Sequence, residues 1–104
     1  MKVRFLEPAR DELLRSVEFY EDKALGLGEA FIEEVERIVT KISETPALGV
    51  PYVDPTRRFP LDRFPYSIVY IVESDSILVI AIAHQRRRPG YWAGRRENDA
   101  QEDA

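Results

Sequence analysis

A run of seven apolar residues, "ILVIAIA" at 77–83, constrains the fold of this chain more than any other feature. A strand that is apolar on both faces belongs in the middle of a sheet with a covering layer on each side. The two alanines in the run are small, so another element can pack closely there. The run is far shorter than the roughly 20 apolar residues needed to cross a membrane. It therefore predicts the central strand of a globular domain.

Three other segments have the pattern of strands. They are "KVRFL" at 2–6, "RRFPL" at 57–61 and "FPYSIVYIVE" at 64–73. Pro60 cannot donate a hydrogen bond to a neighbouring strand, so the segment 57–61 is expected at the edge of the sheet. Only the short turn "SDS" separates 64–73 from the central run, so these two strands are expected to be antiparallel neighbours.

Two helices are predicted between the first strand and the others. The segment 7–23 has Pro8 in its first turn, and a second helical segment ends before Pro46. Each has one apolar face at helical spacing. The apolar positions are Ala9, Leu13, Val17 and Tyr20 in the first helix, and Phe31, Val35, Ile38 and Ile42 in the second. The two glycines in 24–29 separate the helices, so the pair is predicted to form a hairpin.

The predicted element order is therefore β-α-α-β-β-β. This is an α+β fold with a mostly antiparallel sheet and the N-terminal helical hairpin packed on one face. At 104 residues the chain has the size of one domain. Because one hairpin covers only one face, we expect an exposed apolar surface, on the sheet or the hairpin, that binds a small partner protein.

Charge is unevenly distributed along the chain. The net charge is −4, yet residues 57–96 carry eight arginines and three acids, whereas 1–56 and 97–104 are both acidic. The planar guanidinium of arginine suits phosphate and carboxylate groups. Overall acidity argues against indiscriminate binding of nucleic acid, but the basic block predicts a local site for an anionic partner. The acidic stretch 97–104 is predicted to be a disordered tail after a domain over 1–96.

Composition excludes several kinds of chemistry. The chain has no cysteine, so disulfides, thiolate zinc sites and thiol nucleophiles are impossible. One histidine with scattered carboxylates makes no metal-ligand cluster, and no cofactor is implied. The N-terminus carries charges where a signal peptide needs apolar residues, so a cytoplasmic protein is expected.

The stretch "HQRRRPGYWAGR" at 84–95 holds the only histidine, the only tryptophan and four arginines. It follows the central strand directly, so its side chains are expected to converge at one end of the domain. His84 has an unperturbed pKa of about 6.5, which suits acid–base chemistry. The arginines and aromatics are equally suited to contacting another macromolecule. Two types of site therefore remain open: a phosphate-handling centre and a target-binding surface.

Several pieces of the chain together resemble the RelE/ParE superfamily of bacterial toxins from type II toxin–antitoxin systems. The resemblance implies a small toxic domain of the same element order, associated with growth inhibition and plasmid stabilization and held inactive by a cognate antitoxin. The pieces are "FLEPARDEL" at 5–13, "FY" at 19–20, "LGEAFIEEV" at 27–35, "FPYSIVY" at 64–70 and "AIAHQRRRPGYW" at 81–92, with Ile42 and Pro46 between them.

RelE-like members of this superfamily enter the ribosome and cleave mRNA. For such a member the candidate catalytic residues are His84, chosen for its acid–base chemistry, and Arg86 and Arg63, which resemble positions that RelE-like nucleases keep. Cleavage needs a base, an acid and cations that stabilise the charged transition state. RelE-like sites also use lysines near the second strand, where this chain has only Arg57 and Arg58. A guanidinium, with a pKa above about 12, is a poor general base.

ParE-like members are associated with inhibition of DNA gyrase and have no nuclease centre. Because the lysines are missing and the chain is acidic, we prefer this type: a toxin that binds a protein target. The alternatives are the ribosome-dependent mRNA endonuclease and an inactive member that only binds an antitoxin. The predicted target-binding residues are Arg86, Arg87, Arg88, Tyr91 and Trp92.

Overall fold

The computed structural model describes residues 1–103 of the chain, the last four by backbone alone. A 3-10 turn (Pro46–Leu48) follows the second helix. The helices and strands are, in chain order, β1 (Lys2–Phe5), α1 (Glu7–Lys23), α2 (Leu27–Glu44), β2 (Val50–Pro51), β3 (Arg57–Pro60), β4 (Tyr66–Val72), β5 (Ser76–His84) and α3 (Arg95–Asp103).

The strands form one five-stranded sheet in the order β1-β5-β4-β3-β2. Only the β1–β5 pair is parallel, and the other three pairs are antiparallel. The predicted α+β fold with a mostly antiparallel sheet is thus confirmed, and β5, which contains the apolar run, is a central strand. β1 ends at Phe5, opposite Val79. Beyond Val79, no strand of the described residues pairs with β5 on that side.

The helical hairpin packs on one face of the sheet, as predicted. The buried face of α2 consists mainly of Phe31, Val35, Ile38 and Ile42, the same four positions that the periodicity indicated. The two helices approach closely where they meet. A Cβ atom added at Gly28 would lie 2.6 Å from the carbonyl oxygen of Val17, so only glycine fits there without a shift.

The sheet itself does not offer the exposed apolar face that the sequence predicted. Residues 77–83 are all at most 7% exposed. Trp92, from the segment after β5, lies against the other face beside Ile71 and Ile80, and its ring is 5.6 Å from that of Tyr52. The expectation of an uncovered sheet was wrong because it counted only the hairpin as cover. Large exposed apolar side chains do occur on α1, at Leu14 and Phe19.

The region before β4 also differs from the prediction. β3 was expected at the sheet edge, but β2 pairs with it and takes the edge position. β2 has only two residues, too few for a recognisable pattern. Pro60 is tolerated because it is the last residue of β3, opposite Ser67.

The acidic C-terminal stretch was expected to be disordered from residue 97. In the structure α3 begins at Arg95 and continues to Asp103, so the predicted boundary at 96 falls inside a helix, and residue 104 lies outside the described residues. Among the side chains that the structure describes, Arg96 pairs with Glu73, next to the end of β4, at 2.6 Å, and Asp99 pairs with Arg4 of β1 at 3.1 Å. No helix in the described part of the chain is both long enough and apolar enough to cross a membrane.

Candidate functional site

Residues 85–94 join β5 to α3, and we call them the arm. The arm leaves β5 in a tight turn, in which the Arg87 N–H donates to the carbonyl of His84 at 3.0 Å. A second turn follows, with the Tyr91 N–H donating to the carbonyl of Arg88 at 3.1 Å. These turns fold the arm back, so that its aromatic residues return to the body of the protein.

A buried carboxylate on α1, Glu12, holds the arm in place. It accepts hydrogen bonds from the backbone N–H of Ile82 (3.1 Å), the hydroxyl of Tyr91 (2.7 Å) and both terminal nitrogens of Arg95 (2.9 and 3.0 Å). Arg95 Nη1 also donates to the carbonyl of Ile80 at 3.0 Å. A bidentate arginine–carboxylate pair is among the stronger polar contacts in proteins. The pair also bonds to the backbone of β5 beyond the end of β1, on the side where no described strand pairs with β5.

Tyr91 is fixed in its protonated form. Burial, followed by the hydrogen bond and the negative charge of Glu12, raises the pKa of the Tyr91 phenol far above its usual range. The phenol therefore keeps its proton and donates a hydrogen bond to Glu12. The guanidinium of Arg87 lies over the Tyr91 ring, 3.9 Å from its centre. Glu12 thus positions Tyr91, and Tyr91 in turn supports Arg87.

His84, the last residue of β5, is also oriented by its neighbours. Its Nδ1 accepts a hydrogen bond from the backbone N–H of Arg86 at 3.0 Å. The ring of Tyr66 stands edge-on to the imidazole, with centres 4.9 Å apart. With Nδ1 used as an acceptor, the neutral imidazole carries its proton on Nε2.

An open pocket of about 260 Å³ lies between α1, the end of β5 and the arm, and we call it the arm pocket. Its charged and polar rim comes from α1, β5 and the arm, and aromatic rings form much of its wall. Its cationic, aromatic and histidine lining residues are Arg15, Phe19, Tyr66, His84, Arg87 and Tyr91. Glu12 lies at its base. The pocket therefore combines cationic groups with an apolar surface.

The structure brings together only part of the predicted catalytic set. His84 lines the arm pocket, but Arg86 is exposed and outside it. Arg63 lines a different cavity, with Glu33 of α2. There its guanidinium lies 5.7 Å from the centre of the Phe64 ring. His84, Arg86 and Arg63 therefore do not converge on one pocket.

The predicted target-binding residues divide into two groups. Arg86, Arg87 and Arg88 are exposed on the arm, and none of the three forms an ion pair with a described residue. Trp92, in contrast, is only 5% exposed and belongs to the core. It therefore has little surface for a target, and its evident role is to cover the sheet. Tyr91 is half-buried, with its hydroxyl occupied by Glu12.

Sequence reasoning missed Glu12 and Arg15. The signal for Glu12 was present: it lies three residues after Ala9 and four before Ser16, on the buried face of α1. A carboxylate on such a face is rarely buried without a partner. Its partner Arg95, however, is 83 residues away in the chain, and no local pattern identifies it. Arg15 contributes to the pocket only because the arm folds against α1.

The described residues provide neither a metal-binding cluster nor the pair of lysine bases that RelE-like sites use, since Arg57 and Arg58 stand in that region. In the described part of the chain, no group of three or more histidine, cysteine or acidic residues is arranged to hold a metal ion. Arg57 and Arg58 serve local contacts. Arg57 donates to the carbonyl of Gly49 at 2.7 Å, and Arg58 lies over the ring of Tyr52 at 4.5 Å.

Comparison with known proteins gives a consistent result. A family model described as "ParE toxin of type II toxin-antitoxin system, parDE" matches residues 3–89. Among solved structures, the chain is similar to one titled "Chromosomal ParDE TA system from P. aeruginosa", with a TM-score of 0.60 and 22% identity. That match covers 81% of this chain and 95% of the other, and it shows the shared fold. No sequence among the curated proteins matches this chain.

Proposed function

This chain belongs to the ParE toxin family of type II toxin–antitoxin systems, and we propose that it inhibits bacterial growth by binding a protein target, DNA gyrase. A cognate antitoxin, in this proposal, neutralises it. The choice of gyrase follows from the resemblance to ParE-like toxins. The choice of binding rather than catalysis follows from the arrangement of the arm.

The observation that carries the proposal is the exposed arginine triplet Arg86–Arg88. These three cations have no carboxylate partner among the described residues, although the chain has a net charge of −4. They lie on a segment that Glu12 and Trp92 hold against the body, so little backbone conformational entropy is lost when they engage a partner. Arginine is enriched among the residues that dominate protein interfaces. Such a fixed cationic surface suits an acidic patch on a protein.

A RelE-like endonuclease is the second candidate, because His84 and Tyr91 both line the arm pocket. Three observations disfavour it. Arg63 and Arg86 lie outside that pocket, so fewer cations are available to stabilise a phosphorane. The Tyr91 proton is held by Glu12, and its raised pKa makes the phenol a weak acid. No lysine lies in the segment 57–63.

Expression in a bacterial host tests the proposal. Wild type should arrest growth and induce an SOS reporter, and co-expression of the antitoxin should restore growth. Replacing Arg86, Arg87 and Arg88 together by alanine should abolish the arrest. The control is Arg10→Ala, an exposed arginine on α1 that lines none of the pockets described above. Growth arrest with cut mRNA and no SOS response would replace this proposal by the endonuclease. No arrest at all would indicate an inactive, antitoxin-binding member.

A further inference from the structure

We propose that the arm pocket is a receptor for an acidic peptide segment, in which a carboxylate side chain stands next to a large apolar one. The proposal rests on the proposed function, since it specifies what a protein partner of this toxin offers to one site. It goes beyond the arginine triplet surface, with which it shares Arg87, because it assigns a ligand chemistry to the pocket between α1 and the arm.

The first argument is the balance of charge in the pocket. Arg15 from α1 and Arg87 from the arm both line it, and neither forms an ion pair with a described residue. Glu12 is the one carboxylate among the lining residues. Its charge is balanced by the bidentate contact with Arg95, and its oxygens already accept four hydrogen bonds. The charge of Glu12 is therefore not available to these two guanidinium groups, and an incoming anion can pair with them.

The second argument is the apolar wall beside these cations. Phe19 is 51% exposed although it is a large aromatic residue, and it lines the pocket together with Tyr66 and Ile82. Tyr91 provides a further ring, on which Arg87 already lies. A ligand that carries only charge would leave this surface in contact with water. A carboxylate next to an aromatic or aliphatic side chain satisfies both parts of the pocket.

The third argument separates a peptide from a nucleic acid. The pocket, at about 260 Å³, is open and smaller than the roughly 300–1,000 Å³ of typical small-molecule sites, so it accommodates one or two side chains of a longer partner. The rest of α1 is acidic around it, with Asp11, Glu18 and Asp22 exposed. A chain of phosphates would approach these carboxylates and be repelled. A single carboxylate with an apolar neighbour would not.

Nuclear magnetic resonance tests this with two capped peptides of one length. The probe is acetyl-Glu-Leu-Phe-amide, and its matched control is acetyl-Gln-Leu-Phe-amide. Titrated into isotope-labelled full chain, the acidic peptide should shift the resonances of Arg15, Phe19, His84 and Arg87. The glutamine peptide should bind at least about tenfold more weakly, because it lacks the charge-assisted hydrogen bonds.

Variants of the protein test the same site. Arg15→Ala and Arg87→Ala should each weaken binding of the acidic peptide at least about tenfold, whereas Arg10→Ala should change it less than about twofold. Phe19→Ala should also weaken it. All four side chains are largely exposed, and an unchanged amide spectrum checks that each variant is folded.

Several results would overturn the proposal. They are equal binding of the two peptides, shifts confined to another surface, no binding at about 10 mM peptide, or a short oligonucleotide that binds the pocket more tightly than the acidic peptide. These results are distinguishable from failure of the proposed function. A toxin that arrests growth but does not bind the peptide overturns only the pocket assignment. A chain that binds the peptide but does not arrest growth overturns only the toxin activity.

Discussion

At the scale of single residues, Glu12 determines how the arm sits on the body of the protein. One carboxylate contacts β5, the arm and α3 through Ile82, Tyr91 and Arg95. Removing it would leave the guanidinium of Arg95 partly buried without a counter-charge. An uncompensated buried charge is strongly destabilising.

We therefore expect Glu12→Ala to lower the free energy of unfolding by about 3 kcal/mol. Chemical denaturation of the variant gives the value. Arg95→Ala should cost less, and the double variant should lose clearly less than the sum of the two, because the residues interact directly. Simple additivity in this double-mutant cycle would contradict the contact described here.

Tyr91 makes a second prediction, in which pH is the variable. Tyr91→Phe should cost about 1–2 kcal/mol at neutral pH, because the hydrogen bond to the Glu12 carboxylate is lost. Since the pKa of Tyr91 is raised in the folded state, the folded protein retains this proton while the unfolded chain loses it from about pH 10. The advantage of wild type over the variant should therefore be constant from neutral pH to about pH 10 and shrink above it. A stability difference between wild type and Tyr91→Phe that stays constant well above pH 10 would contradict the hydrogen bond between Tyr91 and Glu12.

At the scale of elements, the contact between α1 and α2 depends on Gly28. Its Cα faces the backbone of α1 so closely that a methyl group would lie 2.6 Å from the Val17 carbonyl oxygen. The backbones of the two helices must stay this close at Gly28 for both apolar faces to contact the sheet.

Gly28→Ala should lower stability by about 1–3 kcal/mol, since overpacking outweighs the better helix propensity of alanine. Thermal unfolding followed by circular dichroism measures this. The exposed neighbour Glu29→Ala serves as the control and should have little effect. An unchanged or higher midpoint for Gly28→Ala would mean that the helices separate without cost.

The sequence predicted well those elements whose pattern of residues lies within the element itself. α1 runs over residues 7–23, as predicted from Pro8 and the spacing of its apolar positions, and β5 follows the apolar run. β2 and α3 were missed because distant parts of the chain stabilise them. β2 exists through its pairing with β3, and α3 is connected to β1 by an ion pair between Arg4 and Asp99.

The candidate site was predicted in part for the same reason. His84 ends the central strand and Arg87 lies three residues after it, so their place at its end could be inferred from the sequence. Arg15 joins them only because the arm folds back to α1. Trp92 looked like a contact residue, but it covers the sheet face that the hairpin leaves open. A pattern of residue types does not show which side of a turn a side chain occupies.

At the scale of the whole molecule, the part of α3 that follows Arg95 is connected to the rest of the protein by surface ion pairs of modest strength. Deleting residues 97–104 removes the exposed Arg4–Asp99 pair and retains the Arg96–Glu73 pair. Because surface ion pairs are worth about 0–1 kcal/mol, the truncated chain should lose no more than about 1 kcal/mol. Thermal unfolding of the truncated chain checks this. A larger loss would show that α3 is an integral part of the fold and not an addition to a domain that ends near residue 96.

At the same scale, our central proposal is that the arm presents the triplet Arg86–Arg88 to a protein target and that this target is DNA gyrase. Supercoiling of relaxed plasmid by purified gyrase tests the claim most directly. Wild type and Arg10→Ala should inhibit the reaction. The triple alanine variant at Arg86–Arg88 should need at least about 30-fold more protein, since even one interface anchor is worth roughly 2 kcal/mol. Undiminished supercoiling with wild type, together with cleavage of mRNA on ribosomes by the same preparation, would contradict the claim.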